Sequence, residues 1–142
     1  MCRGYSLTEL TVTVAVLGLG TAITLPRLRG VMDWVVLDRA ARDVTMALAV
    51  ARHAAVLEGS RSRLLIAADS LRVDRWGPAG WAPFARWAGP AGHAVELEVS
   101  NPEVIFGPMG IGWGASNTKV VLRLKSRSET ITVSRLGRVK RW

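Results

Sequence analysis

Few residues in this 142-residue chain could do chemistry, and their spacing narrows what that chemistry is. Histidine occurs twice, as His53 and His93, and cysteine once, as Cys2. Metal coordination needs three or four converging donors, and nucleophilic catalysis needs a base beside its nucleophile. Neither histidine stands at such a spacing and the carboxylates are scattered, so the sequence predicts no enzyme, no metal and no cofactor. The stretch 107–114, Gly-Pro-Met-Gly-Ile-Gly-Trp-Gly, lacks the lysine of a phosphate loop and lies between expected strands, so it reads as a turn. Two charged features remain. One is Glu9, a single acid at the edge of residues 10–25, a run without any charge. A carboxylate in apolar surroundings is stabilised only by a cation that pairs with it. The other is a concentration of cations at the C-terminal end: Lys119, Arg123, Lys125, Arg127, Arg135, Arg138, Lys140 and Arg141.

The elements that must carry these residues follow from periodicity. From Tyr5 to Leu25 a helix would be about 31 Å long, one hydrocarbon thickness. After Pro26 the apolar residues Met32, Val35, Val36, Leu37, Ala40, Val44, Leu48, Ala51 and Ala55 recur at three- and four-residue steps, which predicts a helix over 29–58. Asp33, Arg39, Arg42, Asp43 and Arg52 mark its wet side, and Gly59 is its expected C-cap. Strands are expected at 63–67 and 71–76, paired about Ala68-Asp69-Ser70, then at 94–99 and 104–106. Residues 77–92, rich in Gly, Pro and Trp, read as a loop with tryptophan anchors or an irregular strand. A last hairpin joins 120–124 to 130–134 about Ser126-Arg127-Ser128. The six tryptophans are expected mainly as core or subunit contacts, with Trp142 placed to stack on a single-stranded base.

Arg3-Gly4-Tyr5, the acid at Glu9, the apolar run and Pro26 together resemble the class III signal of type IV pilins and type II secretion pseudopilins. The resemblance covers roughly the first 30 residues. It implies cleavage by a prepilin peptidase between Gly4 and Tyr5, methylation of the new N-terminal Tyr5, and a role for Glu9, the fifth mature residue, in pairing with a neighbouring subunit's N-terminus. The segment Ala47-Leu48-Ala49-Val50-Ala51-Arg52-His53-Ala54-Ala55 is similar to the A-R-x-x-A helix end of the GspH/FimT branch. The implied organisation is a leader, residues 1–4; a transmembrane and filament-core helix, residues 5–28; and a globular domain, residues 29–142, with its helix at 29–58 and its β domain at 61–142. The implied fold class is α+β, type IV pilin-like: a long N-terminal helix, membrane-spanning in its first half, packed on a small antiparallel sheet. The implied partners are other pilins or pseudopilins in a filament, the prepilin peptidase and an inner-membrane assembly platform. The implied location is the inner membrane, single-pass, with the globular domain outside the cytoplasm, and then the filament. The alternatives fit less well. A secretory signal needs a small-residue cleavage site after the run, whereas this run ends Leu25-Pro26-Arg27-Leu28-Arg29, and a plain anchor needs no Glu9. The arginines after the run disagree with the positive-inside rule, which the motif outweighs.

The net charge of +8 is uneven. Residues 119–142 hold eight cations against Glu129 alone, a net +7, and residues 1–118 carry +1. Such asymmetry predicts a polyanion partner. The closing Gly137-Arg138-Val139-Lys140-Arg141 resembles the G-R-x-R motif of FimT-like minor pilins, with Lys140 at the second arginine. That implies DNA capture in natural transformation, with Arg138, Lys140, Arg141, Arg135, Lys119, Arg123, Lys125 and Arg127 on DNA. On a strand Arg138 and Lys140 would share one face. The competing expectation is a minor pseudopilin of a type II secretion system, in which the same cations are a solvated strand edge.

Overall fold

A computed structural model describes residues 6–114 and 117–142, and no side chain of residues 23–29. Gly4 and Tyr5 therefore lie outside the described residues. The chain divides into two compact units, Met1–Trp34 and Val35–Trp142.

Helix α1 is Leu7–Leu57. Ser6 starts it: its Oγ accepts the N–H of Glu9 at 3.2 Å, which satisfies one of the first turn's orphan donors. Glu9 is the acid of that first turn and so also complements the helix dipole. The helix runs through Pro26, where a separate start near residue 29 was expected. Among the described residues no helix is long and apolar enough to cross a membrane. The expected span, residues 5–28, includes positions outside that description. In the first unit Leu10, Val12, Val14, Val16, Leu17 and Leu19 are all exposed. A contiguous apolar surface of this kind calls for lipid or another chain.

In the second unit α1 buries Leu37, Ala40, Ala41, Val44, Ala47, Leu48, Ala51 and Ala55. The expected periodicity holds from Leu37 onward. Met32 and Val35, expected on the same stripe, are exposed, because the core begins only at Leu37. The helix ends in a Schellman motif: Ser60 N–H reaches the Ala55 carbonyl at 3.2 Å and Gly59 N–H the Val56 carbonyl at 3.3 Å. Gly59 supplies the left-handed φ of 56° that this cap requires.

The β region forms two four-stranded antiparallel sheets where one small sheet was expected. The first has the order β3-β2-β1-β5, from β1 Ser62–Ile66, β2 Ser70–Gly77, β3 Gly80–Ala88 and β5 Glu103–Phe106. The second has the order β4-β6-β7-β8, from β4 Glu96–Val99, β6 Thr118–Leu124, β7 Arg127–Val133 and β8 Val139–Arg141. A 3-10 turn, Pro90–His93, follows β3. Strand β3 runs through what was read as a loop or irregular strand. It tolerates Pro83 because it is an edge strand and because a bulge at Val73/Asp74 interrupts the ladder opposite. The last hairpin turns at Lys125-Ser126, two residues earlier than expected on its far side, with Lys125 at φ 55°.

Both sheets contribute to one core with α1. Leu64, Ile66, Leu71, Val73, Val104 and Phe106 come from the first sheet, and Val120, Leu122, Ile131 and Val133 from the second. The buried Ser62 hydroxyl donates to the Ala51 carbonyl and ties β1 to the helix. None of the six tryptophans is in the buried core; Trp87 only packs against it.

Candidate nucleic-acid interface

The C-terminal cations sit on the second sheet, and strand alternation sorts them. Lys119 lies opposite Thr132, and Thr132 opposite Lys140, so the two lysines stand on one face two strand spacings apart, about 10 Å. Arg123 shares that face from β6 and pairs with Glu98 at 2.7 Å. Both side chains of this pair are exposed, so the contact is weak and open to exchange. Lys140 Nζ lies 3.3 Å above the centre of the Trp142 ring. One face of Trp142, the expected stacking residue, is thereby covered by the lysine.

Arg141 is different. It lies opposite Ile131, whose side chain is buried, so it reaches inward. Its guanidinium meets the Glu129 carboxylate on β7 and the Asp38 carboxylate on α1. Two acids neutralise it, which removes it from the expected DNA set and makes it the tie between β8 and the helix. The hydrogen bond from Arg141, followed by that from Arg42, holds Asp38 below the usual carboxylate range despite its partial burial. A lowered folded-state value stabilises the fold above the ordinary value of 3.8, and that contribution is lost as pH falls through the lowered value. Urea unfolding followed from about pH 5 to about pH 2 will therefore show a smaller acid loss of stability in Asp38→Asn than in the parent chain.

Arg138 also departs from expectation. It precedes β8 rather than sharing a strand face with Lys140. Its N–H donates to Ser134 Oγ at 3.3 Å. It lines a cleft of about 710 Å³ whose far wall is α1, at Leu48, Ala49, Arg52, His53 and Val56. Arg52 Nη1 donates to the Gly137 carbonyl at 3.4 Å across this cleft. Sequence reasoning placed Arg52 on the wet side of the helix and in the alanine-rich helix end, but not against this turn, because its partner lies 85 residues away. Arg135 accepts the N–H of Gly112 at its carbonyl, 2.7 Å, leaving its side chain exposed. Among the described residues Lys119, Arg127, Arg135, Arg138 and Lys140 are exposed and pair with no carboxylate. Because β8 is an edge strand, Lys140 and the preceding Arg138 lie at the rim of the second sheet, and Lys119 stands two strands in on the same face as Lys140.

The other candidate residues are accounted for by structure. His93 Nε2 lies 3.3 Å from Asp43, pinning the 3-10 turn to the helix. No group of three or more metal-ligating side chains occurs among the described residues. Ala54 and Ala55 are buried, so the alanine-rich helix end packs on the sheets and leaves Arg52 and His53 exposed.

Residues 40–137 match the family model described as Type II transport protein GspH. No curated protein matches the chain by sequence. Among solved structures the chain is similar to the type IV minor pilin FimU of Pseudomonas aeruginosa. The TM-score is 0.63 at 16% identity, over 73% of this chain and 86% of that one. It is also similar to the minor pseudopilin EpsH of the Vibrio cholerae type 2 secretion system. There the TM-score is 0.61 at 13% identity, over 75% of this chain and 95% of that one.

Proposed function

The chain belongs to the GspH family and is a minor pilin or pseudopilin that assembles with other pilins in a filament; from that premise we propose that it holds DNA along its basic C-terminal rim during uptake. The observation that carries this reading is the set Lys119, Arg127, Arg135, Arg138 and Lys140, exposed on the second sheet and on the turn that leads into its edge strand β8, and unneutralised among the described residues. Cations held this way contact phosphates and bind without regard to sequence. Lys119 and Lys140 supply one side of the rim. Arg138, with Arg52 behind it, supplies the other.

The same proposal places residues 5–28 in the inner membrane after cleavage at Gly4/Tyr5, with Tyr5 methylated, through a prepilin peptidase and an inner-membrane assembly platform. The exposed leucines and valines of Leu10–Leu19 support it, because they need lipid or neighbouring helices to cover them. In the filament Glu9 would meet a neighbour's N-terminal amine. The globular part would lie outside the cytoplasm.

The test is binding of double-stranded DNA to the full chain in detergent. Arg138→Ala combined with Lys140→Ala weakens binding about tenfold or more, as two phosphate contacts disappear. Equal binding by the double variant removes the DNA reading and leaves a secretion pseudopilin, in which these cations only protect the strand edge.

A further inference from the structure

A second site, an arginine held against aromatic rings, lies at the first sheet. Arg61, the residue before β1, has its guanidinium carbon 4.7 Å from the centre of the Trp76 ring and 5.6 Å from that of Trp113. Trp76 in turn meets Trp81 edge to face, with centroids 5.2 Å apart at 74°. We infer that Arg61, Trp76 and Trp113 form a binding site for single-stranded nucleic acid, with a phosphate on the guanidinium and a base on the open face of Trp113.

The neighbouring arginines show why Arg61 stands apart. Arg63 is held by Asp74 at 2.9 Å and Glu103 at 3.1 Å, besides lying over Trp81. Arg72 is held by Asp74 at 3.0 Å. Arg75 pairs with Glu58 and covers Phe84. Each of these charges is neutralised and each serves the fold. Arg61 touches rings alone: among the described residues no carboxylate pairs with it, and its side chain makes no hydrogen bond. A guanidinium held between aromatic planes keeps its N–H edge available for an anion and loses little freedom on binding one.

The site has room and an open ring. A cleft of about 340 Å³ is lined by Gly59, Ser60, Arg61, Pro108 and Trp113. That is at the small end of ligand pockets, the size for one nucleotide rather than a folded partner. Trp113 is 53% exposed. An unneutralised guanidinium beside an exposed indole asks for a ligand with an anion next to a flat π system. A single strand offers both in every nucleotide. A duplex hides its bases and would use only the charge. A neutral glycan would use only the rings. The loop carrying Trp113 is joined to the C-terminal turn through the Gly112–Arg135 hydrogen bond, so this site adjoins the basic rim. It stands on different residues and does not rest on the reading of that rim.

The experiment titrates the full chain in detergent with oligothymidine, reading anisotropy of the labelled oligonucleotide and quenching of tryptophan fluorescence. A blunt duplex and a neutral glucan are titrated in parallel. Trp113→Ala is expected to weaken oligothymidine binding about 5- to 100-fold, the range for one lost stack, while duplex binding stays unchanged. Arg61→Ala is expected to weaken it and to lower the salt slope by about one contact. Trp113→Phe, which keeps a ring without changing the loop, restores most of the affinity and separates lost stacking from lost folding. Oligothymidine binding that survives Trp113→Ala and Arg61→Ala but fails in the Arg138/Lys140 double variant overturns the site, because the single strand then sits on the rim. Glucan binding that Trp113→Ala abolishes and Arg61→Ala leaves intact overturns it too, making the rings a sugar platform.

Discussion

Gly137→Ala lowers the melting temperature of the full chain by about 8–12 °C and displaces the turn that carries Arg138 into β8. The reasons are local. Gly137 sits at φ 70°, where a side chain costs about 1–2 kcal/mol. A Cβ there would also lie 2.4 Å from the Gly110 carbonyl oxygen, a backbone atom of the neighbouring loop. The turn from β7 to β8 depends on this approach: Gly137 N–H donates to the Ser134 carbonyl at 2.9 Å and Ser134 N–H to the Arg138 carbonyl at 3.0 Å. Opening it costs at least about 2 kcal/mol in total and displaces Arg138 and Lys140 together. DNA binding should therefore fall at least as far as in the double alanine variant. A Gly137→Ala chain that melts like the parent would contradict this account of the turn. The glycine that the sequence offered as the start of a cationic motif is thus explained by geometry, before any ligand is considered.

The second large effect is at Asp74, which is 1% exposed. Its Oδ2 accepts from Arg63 at 2.9 Å and from Arg72 Nη2 at 3.1 Å. Arg72 Nε also lies 3.0 Å from Oδ1, without the alignment of a hydrogen bond. Asp74→Ala leaves the Arg63 and Arg72 guanidinium groups without the carboxylate they share. Removing one partner of a fully buried pair costs about 3–5 kcal/mol. Here the arginine side chains are 21% and 44% exposed and can turn to water, so about 2–3 kcal/mol is expected. Urea unfolding reads this directly, and Asp74→Asn, which keeps the shape, should lose less. An unchanged midpoint in Asp74→Ala would mean that the cluster is a surface ornament.

The helix stripe from Leu37 to Ala55 was legible because its period is local, and the β1–β2 hairpin because alternation and a turn signal coincide. Strand β3 was read as a loop or irregular strand, since Gly80, Pro83 and the tryptophans weaken any strand signal; an edge position and a bulge make it possible. The tryptophans were expected mainly as core or subunit contacts; none is in the buried core, and Trp76, Trp113 and Trp142 are exposed, each with a cation on its ring. The cations themselves were legible as a concentration of charge. Their division was not. Arg141 finds Asp38 across 103 residues, and no local pattern marks such a partner. Arg61 and its two rings are brought together from three separate segments in the same way.

The central claim is that a GspH-family filament subunit presents an unneutralised basic rim to DNA phosphates. The most direct measurement is the affinity of the full chain in detergent for a short duplex across a series of salt concentrations. Four or five phosphate contacts predict a slope of log affinity on log salt of about −3.5 to −4.5. A slope in that range, reduced by about two contacts when Arg138 and Lys140 become alanine, is the predicted result. No binding at low salt, or binding whose slope ignores Arg138 and Lys140, would contradict it.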